Sequence, residues 1–257
     1  MTKSKVLKIL KWFLIALFAI AAVFTIVFKV YTSRYYRTDK DTVNSIVRSL
    51  ESKVNTYSDD NGMVFIPRNQ EYEAVIVFYP GGKVEYTAYS GLMYELASRG
   101  YVCLLPRMPD NLAFLRINAV DVFIGGYEAE VGTAKELDWY LAGHSLGGVA
   151  ASLFLEETDD EYDGLILCAS YPNADISGSD YRFLSIIGSE DKVVNKKAYD
   201  NARTYWPEHS EEYIIEGGIH SYFGCYGIQK GDGVPAVSNQ EQIAETADII
   251  ANWIEKK

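Results

Sequence analysis

Trp139-Tyr140-Leu141-Ala142-Gly143-His144-Ser145-Leu146-Gly147-Gly148-Val149-Ala150-Ala151-Ser152-Leu153-Phe154-Leu155 reads as a strand, a sharp turn and a helix. Trp139–Ala142 is an apolar run of strand length, and Val149–Leu155 has the small and apolar residues of a helix packed on a sheet. The turn between them crowds Ser145 into a cramped backbone conformation that only small neighbours tolerate. That accounts for Gly143 and Gly147, two residues to either side. The same turn lifts the Ser145 hydroxyl above the sheet edge, beside the first amides and positive dipole end of the next helix.

Outward from this unit, short apolar runs alternate with helical patterns. Strands are predicted at Met63–Ile66, Ala74–Tyr79, Tyr101–Pro106, Trp139–Ala142, Gly164–Ser170, Arg182–Gly188 and Glu212–Ile215. Helices are predicted from the spacing of Val43, Ile46, Val47, Leu50 and Val54, and over Tyr86–Arg99, about Leu112–Ile124, Leu146–Glu156, Lys196–Trp206 and Asn239–Glu255. In the last of these, Ser238 and Glu241 form a capping box, and Ile243, Ala247, Ile250 and Ile254 a buried stripe. Unbroken apolar strands separated by such helices predict an α/β fold with a mostly parallel central sheet and helices on both faces. With 257 residues, the chain is long enough to bury roughly 70–75% of its unfolded surface.

A serine hydroxyl becomes a nucleophile only when a base removes its proton and an acid orients that base. The chain has three histidines. His144 lies inside the turn, facing away from where a base must approach, and reads as local packing. His209 follows Pro207-Glu208 in a polar connection and reads as surface. His220, in Gly217-Gly218-Ile219-His220-Ser221-Tyr222 after a late strand, is left as the base by elimination and by position. The acid is expected between serine and histidine in chain order. Asp191, on the Ser189-Glu190-Asp191-Lys192 turn, is the choice, with Glu190 in reserve; Asp175 and Asp180 are less well placed. An oxyanion pocket is expected where Val75–Tyr79 runs into Pro80-Gly81-Gly82-Lys83. Its backbone donors are Gly82 (or Lys83) and Leu146.

The set Tyr79-Pro80-Gly81-Gly82, Gly143-His144-Ser145-Leu146-Gly147-Gly148, Gly188-Ser189-Glu190-Asp191 and Gly218-Ile219-His220 resembles the α/β-hydrolase superfamily from about Met63 to Glu255. More narrowly, it resembles the small, lid-free fold-5 group, close to dienelactone-hydrolase-like proteins. The stretch Phe223-Gly224-Cys225-Tyr226-Gly227, with Gln229 and Gly231-Asp232-Gly233, looks like one that follows the catalytic histidine in that group. The resemblance implies a hydrolase without naming its ester. Dienelactone hydrolases use cysteine where this chain has Ser145, so their substrate is not implied.

Only ten residues, Pro172 to Tyr181, lie where lid-bearing relatives insert a cap. No cap domain and an open mouth are therefore expected, lined by Tyr86, Tyr89, Tyr222 and Tyr226. Lys83, Tyr86 and Tyr222 are the expected substrate-binding residues.

Trp12–Phe28 carries no charge and follows Lys3, Lys5, Lys8 and Lys11. At 1.5 Å per residue this run reaches roughly 25 Å, close to the thickness of a hydrocarbon layer. The lysines put the N-terminus in the cytoplasm and the rest outside. A cleaved signal peptide ending at Ala19-Ile20-Ala21 is the competing reading. The expected organisation is a cytoplasmic N-terminus (1–11), a transmembrane signal anchor (12–30), a stalk and leading helix (31–62) and the catalytic domain (63–257). The stalk proper is Tyr31 to Lys40.

Residues 1–37 hold seven basic groups and no acid, so the net charge of −11 leaves −18 on the remainder. A body that negative repels polyphosphate, and no nucleic-acid partner is expected. Of the three cysteines, Cys103 and Cys168 lie inside apolar runs and read as small buried core residues rather than a disulfide frame. No spacing suggests a metal site, and no cofactor is expected. The expected activity is hydrolysis of a small-molecule or envelope carboxylic ester by Ser145, His220 and Asp191. Acyl transfer on the same triad, or a non-catalytic binding module, is the alternative.

Overall fold

Runs rich in Val, Ile, Leu and aromatic residues become the strands of one eight-stranded sheet. They are β1 (Val54–Ser58), β2 (Gly62–Pro67), β3 (Ala74–Tyr79), β4 (Tyr101–Pro106), β5 (Asp138–His144), β6 (Gly164–Cys168), β7 (Arg182–Gly188) and β8 (Ser210–Ile215). The computed structural model describes residues 3–124, 137–158 and 161–256. The spatial order is β1-β2-β4-β3-β5-β6-β7-β8. β2 is antiparallel to both β1 and β4, and every other neighbouring pair is parallel.

The helices are α1 (Lys3–Ser33), α2 (Lys40–Leu50), α3 (Ser90–Ala97), α4 (Ala119–Ile124), α5 (Leu146–Glu157), α6 (Lys196–Ala202) and α7 (Asn239–Glu255). Alternate strand residues serve opposite faces. Ala74, Ile76 and Phe78 join the core beneath α2, α3 and α7. Val75, Val77 and Tyr79 join the core with Ala150, Ala151, Phe154 and Leu155 of α5. All of β3, β4 and β6 is buried, which is why these strands read as unbroken apolar runs. Truncating a fully buried Phe78 to alanine here costs about 3–5 kcal/mol. The Ser238–Glu241 capping box and the α7 stripe are both present, and all three cysteines are buried.

Several boundaries differ from the pattern. The helix read on to Val54 ends at Leu50, and Val54 opens β1, an edge strand whose outer residues are polar and so left no apolar run. Tyr86–Arg99 divides into a 3-10 turn, Tyr86–Tyr89, and α3. Leu112–Ile124 divides into a 3-10 turn, Ala113–Leu115, and α4. Lys196–Trp206 divides into α6 and a 3-10 turn, Arg203–Tyr205. Residues 171–181 hold no helix or strand.

Two compact units divide at Tyr35 and Tyr36. The first is dominated by α1, which is long and apolar enough to cross a membrane by length and composition. Inside it, the Thr25 hydroxyl donates to the Ala21 carbonyl at 2.9 Å and needs no outside partner. The stretch read as a polar stalk, Tyr31 to Lys40, divides between the two units. Tyr31 to Ser33 continue α1, whereas Tyr36 is stitched into the body. Its N–H donates to the Lys83 carbonyl at 2.8 Å and its carbonyl accepts the Glu85 N–H at 2.9 Å, a one-residue parallel bridge that a polar segment forms as readily as an apolar one.

Candidate active site

β5 delivers Ser145 at its C-terminal end, and α5 begins at the next residue. Ser145 has φ 51° and ψ −123°, a conformation that non-glycine residues rarely hold and that costs of order 1–3 kcal/mol. The surroundings enforce it. The Ser145 N–H donates to the Cys168 carbonyl at 3.0 Å, and its own carbonyl accepts from the Ser170 hydroxyl at 2.6 Å and from the Gly148 N–H at 3.0 Å. The flanking glycines let backbone pack on backbone. A Cβ on Gly147 would stand 2.2 Å from the Tyr79 carbonyl oxygen, and one on Gly143 would stand 2.6 Å from the Gly148 nitrogen.

β8 leads into a 3-10 turn, His220–Phe223, that opens with His220. The His220 Nδ1–H donates to Asp191 Oδ2 at 2.9 Å. The other carboxylate oxygen of Asp191 accepts the amides of Val193 at 2.8 Å and Val194 at 2.9 Å. Burial pushes the Asp191 carboxyl up, but the His220 hydrogen bond and charge, with the two amides, outweigh it and hold the group below the usual carboxylate range. His220 Nε2 is then the ring's acceptor, and among the described residues it is buried with no hydrogen-bond partner. The pairing of Asp191 with His220 is thus formed; a bond from Ser145 Oγ to Nε2 is not. Glu190 lies instead beside exposed Lys192 at 3.7 Å.

The two expected oxyanion donors are neighbours: a Cβ on Gly82 would stand 2.6 Å from Leu146 Cδ2. Among the described residues, neither the Gly82 nor the Leu146 amide has an acceptor. Lys83 drops out as the alternative donor, because its N–H is already given to the Asn111 carbonyl at 2.7 Å.

A model of the alpha/beta hydrolase family matches residues 75–244. The chain belongs to the alpha/beta hydrolase family. The expected resemblance is borne out, and membership supports a hydrolase in general. Among solved structures, the chain is similar in fold to TT1662 from Thermus thermophilus. The identity is 17% and the TM-score 0.55, over 79% of this chain and 99% of that one. No curated protein matches it in sequence.

This alpha/beta hydrolase contains a relay that the sequence pattern did not expose. The Gly81 N–H donates to the Tyr89 hydroxyl at 3.0 Å. That hydroxyl lies 2.8 Å from His144 Nδ1, and His144 Nε2 lies 3.0 Å from the His220 carbonyl. A carbonyl only accepts, so Nε2 of His144 carries the proton and Nδ1 takes the one from Tyr89. Burial and the charge of His220 hold His144 well below the usual histidine value, so its ring is neutral near pH 7. Read as local packing, His144 also joins the Pro80-Gly81-Gly82-Lys83 loop, through Tyr89, to the backbone of His220.

The expectation that Tyr89 and Tyr226 line the mouth is corrected: Tyr89 is fully buried, and Tyr226 nearly so. Tyr89 is drawn inward by its two hydrogen bonds. Tyr226 packs at ring-centroid distances of 5.6 Å from Tyr36 and 6.4 Å from Tyr89. Tyr86, Tyr222 and Lys83 stay half-buried, where a ligand can reach them; His209 is exposed.

A second missed residue is Asp232. Its Oδ2 accepts the Ser221 N–H at 2.8 Å and its Oδ1 the His220 N–H at 3.3 Å, so one carboxylate caps the turn that carries His220. Next to it, a Cβ on Gly233 would stand 1.8 Å from the Glu190 carbonyl oxygen, so the Gly231-Asp232-Gly233 loop also lies against the acid turn. An acid framed by glycines was the available signal.

Proposed function

We propose that the protein is a membrane-anchored serine hydrolase of carboxylic esters, with α1 as its single span, its N-terminus cytoplasmic and its catalytic domain outside. The observation that carries this reading is His220 Nε2: a buried acceptor with no partner, on a ring whose other nitrogen is tied to Asp191. An unsatisfied buried polar atom costs about 1–3 kcal/mol, and a reacting hydroxyl is the group that would satisfy it.

In this reading, rotation about χ1 brings Ser145 Oγ to Nε2. As Oγ bonds to the ester carbonyl carbon, its proton passes to Nε2, and the carbonyl oxygen gains negative charge facing the Gly82 and Leu146 amides. The C–O bond to the alcohol breaks, and the alcohol leaves with the proton from Nε2. Water then repeats the sequence on the acyl-enzyme, releasing the acid and restoring the Ser145 hydroxyl. Asp191 fixes the tautomer throughout. Lys83, Tyr86 and Tyr222 contact the substrate, and the absence of helix or strand in 171–181 supports an open mouth.

The test is covalent labelling by a fluorophosphonate, with turnover of a short p-nitrophenyl ester. Both are expected to vanish in Ser145→Ala while the far-ultraviolet circular dichroism stays unchanged. Labelling or turnover that survives in the variant refutes the assignment. Labelling that depends on Ser145 excludes a non-catalytic binding module.

A further inference from the structure

We infer that the ester is carried by an amphiphile in the same leaflet that α1 leaves, so that the mouth works against the bilayer surface; this rests on the hydrolase reading above. Two observations carry it.

The first is the shortness of the tether. The apolar run ends at Phe28, and the helix from Lys29 to Ser33 rises about 6 Å. Arg34 and Tyr35 are the only residues between α1 and Tyr36, so three peptide links add at most about 10 Å. Tyr36 is bonded through both its N–H and its carbonyl to Lys83 and Glu85, on the loop that holds Gly82. Its hydroxyl also accepts the Lys230 N–H at 3.0 Å, on the loop that caps the His220 turn. At most about 16 Å of chain therefore separates the apolar end of α1 from the residue bonded to the Gly82 loop.

The second is where the body exposes apolar carbon. Leu146 (37% exposed) follows Ser145. Phe114 (41%) and Leu115 (48%) lie on the 3-10 turn packed against α5. Ile228 (53%) precedes Gln229, whose N–H donates to the Ser221 hydroxyl, and Val234 (83%) follows Gly233, which lies against the acid turn. Among the described residues of the body, the other exposed large apolar side chains are Tyr57, Tyr205 and Tyr213, which end in hydroxyls, and Ile214 on edge strand β8. Apolar exposure thus gathers on the loops around the site, in a body that is otherwise strongly acidic. A soluble, diffusing ester needs no such rim, whereas an acyl chain drawn from a bilayer is met by it.

The test uses the full chain in phosphatidylcholine vesicles, with a long-chain fluorogenic lipid ester in the same bilayer and p-nitrophenyl acetate in the water. One variant combines Phe114→Ser, Leu115→Ser and Ile228→Ser. A second leaves the body untouched and inserts twenty Gly/Ser residues between Arg34 and Tyr35, adding about 25 Å of flexible reach. Both are expected to keep the acetate rate within about twofold and to lose at least tenfold on the lipid ester. Undiminished lipid-ester rates in both variants, or a wild type that cleaves the acetate and ignores the lipid, overturn the inference alone. A wild type inactive on both esters overturns the hydrolase reading with it.

Discussion

Replacing Tyr89 by phenylalanine removes one oxygen and tests whether the relay serves catalysis or only holds the fold together. The hydroxyl accepts the Gly81 N–H at 3.0 Å and donates to His144 Nδ1 at 2.8 Å. Tyr89 is fully buried and His144 nearly so, and the space left by a single oxygen is too small to admit water readily. Two polar groups are therefore stranded, each at about 1–3 kcal/mol, for a loss of about 2–6 kcal/mol. For a domain of this size that lowers Tm by about 5–15 °C. Gly81 immediately precedes Gly82, so the same change frees the loop that presents the oxyanion donor. An oxyanion donor is worth about 3–4 kcal/mol, and displacing it by part of an ångström is expected to lower kcat about tenfold with KM little changed. Thermal melts and full kcat and KM determinations on a p-nitrophenyl ester check both effects. Tyr94→Phe is the control, since its hydroxyl accepts only from Thr56 at 2.9 Å, away from the site, and it should lower Tm without touching kcat. If Tyr89→Phe lost stability but kept the wild-type kcat, the relay would be purely structural. If it kept the wild-type Tm, the accounting of buried hydrogen bonds would be wrong.

Asp191→Asn keeps the shape of the acid turn but lets the His220 ring adopt the wrong tautomer. Turnover should fall by about 10³–10⁴-fold, measured on the same ester, with the melt little altered. Asp232→Asn keeps one acceptor oxygen where three amides and the Ser221 hydroxyl now bind. We expect a loss of kcat of about tenfold with KM unchanged, and labelling by the fluorophosphonate slowed in the same proportion. Stability should depend on pH in two windows. His144 is held below its ordinary value of 6.5, so below pH 6.5 the unfolded chain takes up a proton that the folded one refuses. Stability therefore falls there by about 1.4 kcal/mol per unit, and His144→Gln should abolish that limb in melts recorded against pH. Asp191 is held below 3.8, so its contribution is intact above pH 3.8 and is lost as the pH drops below that value.

What was legible in the sequence follows from burial. Ala74–Tyr79 and Tyr101–Pro106 are buried along their whole length, so their apolar runs marked both ends correctly. β1 was hidden because Val54 continues the helical spacing of Val43, Ile46, Val47 and Leu50, while Tyr57 and Ser58 face solvent. Ser145 was legible because its backbone strain forces glycines into fixed positions. Asp191 and His220 were legible because strand ends deliver them. His144 and Tyr89 were not, because their roles depend on partners 55 and 76 residues away in sequence, a separation that no local pattern carries. A count of donors held the only hint: a histidine flanked by Gly143 and Ser145 in a buried turn must find partners for both ring nitrogens, and the nearby loops have few to offer.

Among the described residues, the hydrogen bonds around the site leave two buried side-chain atoms without a partner, His220 Nε2 and the Tyr226 hydroxyl. Gly81, Tyr89, His144 and the His220 carbonyl satisfy one another in series. Asp191 is saturated by the His220 ring and two amides, and Asp232 by the turn that begins at His220. Three loops far apart in the chain are thus cross-braced by polar groups that could be exchanged for apolar ones only as a set, since half a buried network is worse than none. Among the described residues, His220 Nε2 remains buried and unpartnered. Of the two unpartnered atoms, Nε2 is the one that the proposed mechanism uses, since it is the acceptor on a ring whose other nitrogen is tied to Asp191. In that mechanism the cost of leaving Nε2 unpartnered would be recovered when the Ser145 hydroxyl reaches the ring.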